Sequence, residues 1–176
     1  SASVTRLVGL GSKDHSLAVN ALDASNRDGG INIEPWPVNG LFMPDSIFAY
    51  RSRGKTYLIT ANEGDGREYI SDAEEYDTEE KCLTAGGLDF DDGDCLFYID
   101  EARAGDVDDD EIIQVVLDPT VFPNADTLQK DENLGRLKIV ATEGLNDSGE
   151  YEQLYSFGAR SITVWDAETF VGYDTG

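Results

Sequence analysis

The chain has 176 residues, 40% of them hydrophobic, which is enough for a buried core and too many for a disordered tail. Its 36 acids against 13 bases give a formal net charge of −23, a field that repels nucleic acid and anionic lipid and draws in cations, Ca²⁺ above all. With one His and two Cys, a structural zinc site lacks its four N or S ligands, and any Ser–His–Asp triad would have to use His15.

In chain order, β-branched and aromatic runs bounded by turn residues mark the expected strands. Val4–Leu10 is the first. Ser46–Tyr50 and Lys55–Ala61 flank Arg51-Ser52-Arg53-Gly54 and predict a hairpin with a four-residue loop. Ser71–Glu80 has helix-tolerant composition but no apolar stripe, and reads as a solvated helix or loop. Cys95–Ile99 is a strand, and Glu111–Leu117 a strand or short helix. Arg136–Thr142 and Ser161–Asp166 are strong strands. After the second, Asp166–Thr169 turns and Phe170–Tyr173 returns. Long polar connections separate these runs. No apolar stretch reaches membrane-spanning length, so direct membrane insertion is not expected. No signal peptide is recognisable, and the Ser-Ala-Ser-Val start reads as a mature form or a fragment.

Short strands, hairpins and Gly-rich loops without a βαβ rhythm predict an all-β fold. Ser161–Gly176 has the cadence of a propeller blade: strand, tight polar turn, next strand. Blades take roughly 40–50 residues, so residues 1–176 read as about three to four blades of a larger propeller, part of a single domain with long polar loops.

Cys82 and Cys95 bracket an acidic, Gly-rich segment. Their spacing suits a loop-closing disulfide contributing about 3 kcal/mol, with two buried thiols as the alternative. A disulfide implies an oxidising, extracellular setting. Asn146-Asp147-Ser148 is an N-x-S sequon, which makes Asn146 a glycan acceptor in a secreted eukaryotic protein.

Five blocks in order, Asn20–Ile33, Gly40–Tyr50, Gly54–Tyr69, Leu134–Val140 and Leu154–Thr169, resemble the choice-of-anchor I domain family. That family includes secreted bacterial proteins and the mesenchyme-specific cell-surface glycoprotein group of animals. The resemblance implies a β-propeller-like, extracellular or surface-attached domain of which this chain is the middle portion. The implied partners are the remaining segments of the same propeller or precursor, and matrix or cell-surface components.

In a propeller the loop after an inner strand lines a rim of the channel. Thr60–Tyr69 (TANEGDGREY) would stand there, with Gly64 and Gly66 permitting the turn. Antiparallel pairing of the hairpin brings Asp45 beside the Ala61–Glu63 end. Asp45, Glu63, Asp65 and Glu68 therefore form the candidate metal set, and carboxylates without imidazole suit Ca²⁺ or Mg²⁺. Arg67 is the candidate phosphate or carboxylate partner. The alternative is that these side chains cap turns and form surface pairs. In relatives Gly144–Glu152 resembles a D-x-D-x-D-G calcium loop. Here Gly144, Asn146, Ser148 and Gly149 hold its positions, and Tyr155 stands where an EF-hand needs Glu, so no calcium is expected there. Asp89–Asp94 and Asp106–Glu111 lack that frame too and read as solvated loops. Phe157 and Trp165 read as core.

The leading expectation is a non-enzymatic, Ca²⁺-stabilised extracellular propeller segment acting in adhesion or matrix assembly. The alternative is a Ca²⁺-dependent phosphate-ester hydrolase, with Arg67 on phosphate and Asp45, Glu63 and Asp65 on metal.

Overall fold

Short strands joined by long irregular segments build the chain. The computed structural model describes all residues except Ser1, Ala2, Thr5, Asp110 and Gly176. Thr5 of the expected first strand and Asp110 of the second acidic cluster thus lie outside the described residues.

The strands are β1 (Ser12–Asp14), β2 (Leu22–Asp23), β3 (Ile33–Glu34), β4 (Asn39–Leu41), β5 (Ser46–Ser52), β6 (Lys55–Asn62) and β7 (Glu68–Ser71). Then come β8 (Asp89–Asp91), β9 (Asp94–Ile99), β10 (Glu101–Arg103), β11 (Lys138–Val140), β12 (Tyr155–Ser156), β13 (Ser161–Asp166) and β14 (Gly172–Asp174). The α-helices among the described residues are α1 (Glu79–Thr84) and α2 (Ala125–Leu128). The fold is all-β, with several sheets and, among the described residues, none closed into a barrel.

The chain divides into two compact units. One comprises Ser1–Leu22, Glu34–Asp65 and Tyr155–Gly176; the other comprises Asp23–Ile33 and Gly66–Leu154. The first unit is centred on an antiparallel sheet in the order β14-β13-β6-β5. The β5–β6 hairpin is tighter than its sequence predicts: strand pairing continues through Ser52↔Lys55, leaving only Arg53 and Gly54 in the turn, at φ 51° and 80°. Positive φ at both central residues lets the turn follow the right-handed twist of the flanking strands. In the same unit β4 pairs antiparallel with β1 and parallel with β12.

One face of the four-stranded sheet buries polar side chains. Trp165 Nε1 donates to Thr60 Oγ1, and Thr60 Oγ1 donates to Asn62 Oδ1. Asn62 Nδ2 donates to Thr163 Oγ1, which donates to Asp174, itself ion-paired with Lys13 at 3.0 Å. Asn62 and Thr163 are almost wholly enclosed, which is tolerable only because each polar atom in this series has a partner.

The second unit holds most of the buried apolar side chains, among them Val115, Leu134, Ile139 and Leu154. Its strands form the sheet β7-β9-β8 and the pair β10–β11. The Tyr151 hydroxyl donates to Ala141 O at 2.9 Å inside this core.

Several expected elements are corrected. The described residues of Val4–Leu10 form no strand, and Val4 and Leu7 stay exposed. Glu111–Leu117 is neither strand nor helix; only Leu117 makes an isolated bridge, to Tyr151. Arg136–Thr142 shortens to β11, because Leu134–Leu137 closes a turn with Leu137 N–H donating to Leu134 O. Asp89–Asp94 is not a loose loop but a hairpin, turning at Asp92 and Gly93 with φ 48° and 95°. Ser71–Glu80 ends β7, passes through a 3₁₀ turn at Glu74–Tyr76 and enters α1, where the Thr78 side chain accepts from Lys81 N–H.

Candidate functional site

The hairpin brings two candidate carboxylates to one end of the first unit. Asp45 N–H donates to Ala61 O at 2.9 Å, and Glu63 follows β6 directly. Asp45, Glu63 and Asp65 are exposed. The turn after β6 is shaped by backbone packing. Gly64 has φ 64°, and a Cβ on it would lie 2.3 Å from Gly158 N. Gly158 has φ 71°, and its Cβ would lie 1.8 Å from Glu63 O. Asn62 O accepts from both Ala159 N–H and Arg160 N–H, which holds the two loops together. The glycine in TANEGDGREY is therefore required by a neighbouring main chain, a requirement invisible in the sequence.

Arg67 and Glu68 belong to the second unit. The Arg67 backbone N–H and Nε donate to the two oxygens of buried Asp100, at 2.6 and 2.9 Å. The guanidinium also lies 5.8 Å from the Tyr98 ring centroid. Its hydrogen bond to Asp100 raises its pKa further, so Arg67 stays charged while part of its fork is already engaged. Gly66, beside it, leaves room for the Glu101 side chain, which pairs with Lys138 at 2.5 Å.

Glu68 faces the Asp89–Asp94 hairpin. Together with Asp89, Asp91, Asp92 and Asp94 it lines a shallow cleft of about 230 Å³ floored by Ile70 and Leu96. Among the described residues, no group of three or more His, Cys, Asp or Glu is arranged to hold a metal ion.

Cys82 on α1 and Cys95 on β9 form a disulfide, S–S 2.01 Å, with both residues fully buried. Gly87 packs directly over it: a Cβ there would lie 2.3 Å from Cys82 Sγ and 2.6 Å from Cys95 Sγ.

Asn146 is half-buried and organises its own loop. Its Oδ1 accepts from Ser148 N–H and Glu150 N–H, and its Nδ2 donates to Asp118 at 3.1 Å. His15 is 2% exposed, and its Nδ1 lies 2.6 Å from Asn20 O. Among the described residues its buried Nε2 has no hydrogen-bond partner. Burial, ahead of every other influence, lowers its pKa and favours the neutral ring. Trp165 is buried as expected, and Phe157 is half-buried.

Two features escape a sequence reading. One is the enclosed polar series from Trp165 to Lys13, whose members lie far apart in the chain; the alternation of Thr60, Asn62 and Thr163 with apolar neighbours was its only trace. The other is a cavity of about 670 Å³ in the second unit, walled by Val115, Leu117 and Pro119 and edged by Asp126, Lys130 and Glu150. Irregular backbone and the four-residue α2 build it, so no periodicity announces it.

A family model described as choice-of-anchor I domain matches residues 1–176. No match was found among curated proteins or among solved structures.

Proposed function

The chain belongs to the choice-of-anchor I domain family, and from that premise we propose a non-enzymatic, extracellular role in adhesion or matrix assembly at the cell surface. The observation that carries this reading is the family match along residues 1–176, since the name choice-of-anchor suggests a cell-surface-related domain. The buried Cys82–Cys95 disulfide supports the extracellular part, because such bonds persist where the surroundings are oxidising. Among the described residues no helix is long and apolar enough to cross a membrane. A non-enzymatic role is supported by the engagement of Arg67 with Asp100 and by the burial of His15.

The propeller arrangement is part of the same proposal, and its support is the four-stranded antiparallel sheet β14-β13-β6-β5. Calcium enters as an ion held by the acidic surface, supported by the net charge of −23. Asn146 is proposed as a glycan acceptor on the strength of its sequon.

The test uses protein recovered from its own cells. Surface biotinylation should label it on intact cells, and alkylation without reduction should find neither Cys reactive. The same material should adhere to extracted matrix and leave p-nitrophenyl phosphate intact with or without Ca²⁺. An unlabelled, internally retained protein with free thiols would overturn the reading.

A further inference from the structure

His15 is the chain's one histidine, and its surroundings hold it in place. Its N–H donates to Val38 O and its carbonyl accepts from Trp36 N–H, each at 3.0 Å. Nδ1 lies 2.6 Å from Asn20 O. A backbone carbonyl only accepts, so the proton of the neutral ring sits on Nδ1. Nε2 is then a bare lone pair, buried and, among the described residues, without a partner.

That nitrogen meets Gly40. A Cβ on Gly40 would lie 2.6 Å from His15 Nε2, 2.8 Å from Gly158 O and 2.9 Å from Ala159 Cα. Gly40 is thus a spacer between the imidazole and the loop from Phe157 to Arg160. The same loop packs on the turn after β6, through Gly158 against Glu63 O and Gly64. Ala159 N–H and Arg160 N–H fasten it to Asn62 O at 3.0 and 3.1 Å. His15, Gly40, Gly158 and the Glu63–Gly64 main chain therefore form one continuous stack within the first unit. Gly158 O accepts no backbone hydrogen bond among the described residues.

A proton on Nε2 would turn the lone pair into a charged N–H with no acceptor, a costly state in a buried site. The ring cannot turn away without giving up Asn20 O. Gly158 O, beside the same spacer, can take the new N–H if Gly158 shifts off Glu63 and Gly64. We propose that His15 is an acid-operated latch: protonated at Nε2, it draws Gly158 O to itself and frees the turn at Glu63–Asp65 from the Phe157–Arg160 loop. Both acids of that turn are exposed, so acid changes the mobility of a surface already rich in charge. Burial is the largest influence against the proton; Lys13 and Arg160 also oppose it, and Asp14 favours it. The latch therefore stays shut at neutral pH and opens below 6.5. It stands apart from the surface role proposed above and holds whether or not that role does.

A single histidine makes the test direct. In nitrogen NMR of histidine-labelled protein, the ring should show the Nδ1–H tautomer at pH 8 and titrate below 6.5. The amide signals of Ala159 and Arg160 should shift with the same midpoint, and their hydrogen-exchange protection should fall at least tenfold across it. In His15→Gln, whose amide takes no charge, both should keep their protection. An Nε2–H tautomer at pH 8, a ring that stays neutral until the whole protein unfolds, or Ala159 and Arg160 signals that hold still through the ring's titration overturn the proposal. So does an equal acid loss of protection in His15→Gln.

Discussion

Two titrating residues give the fold separate responses to acid. Asp166 accepts from Lys55 Nζ at 2.9 Å and from the backbone N–H groups of Thr169 and Glu168. The Lys55 bond, first among these, brings its pKa down to about 2 from the usual 3.8. The folded state therefore prefers the carboxylate, and its contribution is present above pH 3.8 and lost as pH falls towards 2. His15 responds earlier. Its pKa is lowered from 6.5, so below that pH the unfolded chain binds a proton that the folded chain resists, and stability declines. Lys13 and Arg160 add to the resistance, and Asp14 opposes it. Denaturant midpoints measured from pH 8 to 2 should fall in both windows. Asp166→Asn should show a shallower acid limb below pH 3.8, the remainder coming from Asp14, Asp28, Asp118 and Asp174, whose pKa values are also lowered, and His15→Gln should lack the earlier decline. At Gly158 the constraint is steric: Gly158→Ala meets the Glu63 carbonyl and a positive φ together, and should cost about 3 kcal/mol in chemical denaturation.

At the level of elements, legibility followed the partner. The β5–β6 hairpin, β9 and β13 were readable because their β-branched and aromatic runs coincide with strands that find hydrogen-bonded partners, β6, β9 and β13 also burying part of their side chains. The described residues of Val4–Leu10 have comparable side chains but no strand pairs with them, and Val4 and Leu7 remain in water while Val8 and Leu10 are half-buried. The Asp92-Gly93 turn was legible in principle, as Asp-Gly between two strand-forming runs, but the surrounding acids masked it. The candidate site was legible only locally. Pairing placed Asp45 beside Ala61, whereas the engagement of Arg67 by Asp100 joins residues that no local pattern links. The tighter hairpin also yields a prediction. Arg53 sits at φ 51°, a conformation that costs most L residues about 1–2 kcal/mol and that Asn adopts more readily. Arg53→Asn should therefore raise stability by up to about 1 kcal/mol, seen as a higher denaturant midpoint at unchanged slope.

Across the whole molecule, composition and architecture pull in different directions. Most of the acids lie at the surface, Asp100 and Asp166 being buried exceptions, while the two units are built inside by different means: apolar packing in the second, a hydrogen-bonded polar series in the first. The disulfide belongs to the second unit. It closes a loop with a sequence separation of 13, and replacing both Cys by Ser should cost about 3 kcal/mol of unfolding free energy. That loss should appear as a lower melting temperature than that of the oxidised parent.

The position of Gly87 over the buried sulfurs has a kinetic outcome as well. A small reductant has no line of approach to either sulfur until the corner between α1 and β8 lifts. At high reductant concentration, cleavage should consequently plateau at the rate of that lifting. A bond that holds this corner in place thus doubles as a stopwatch for how often it opens.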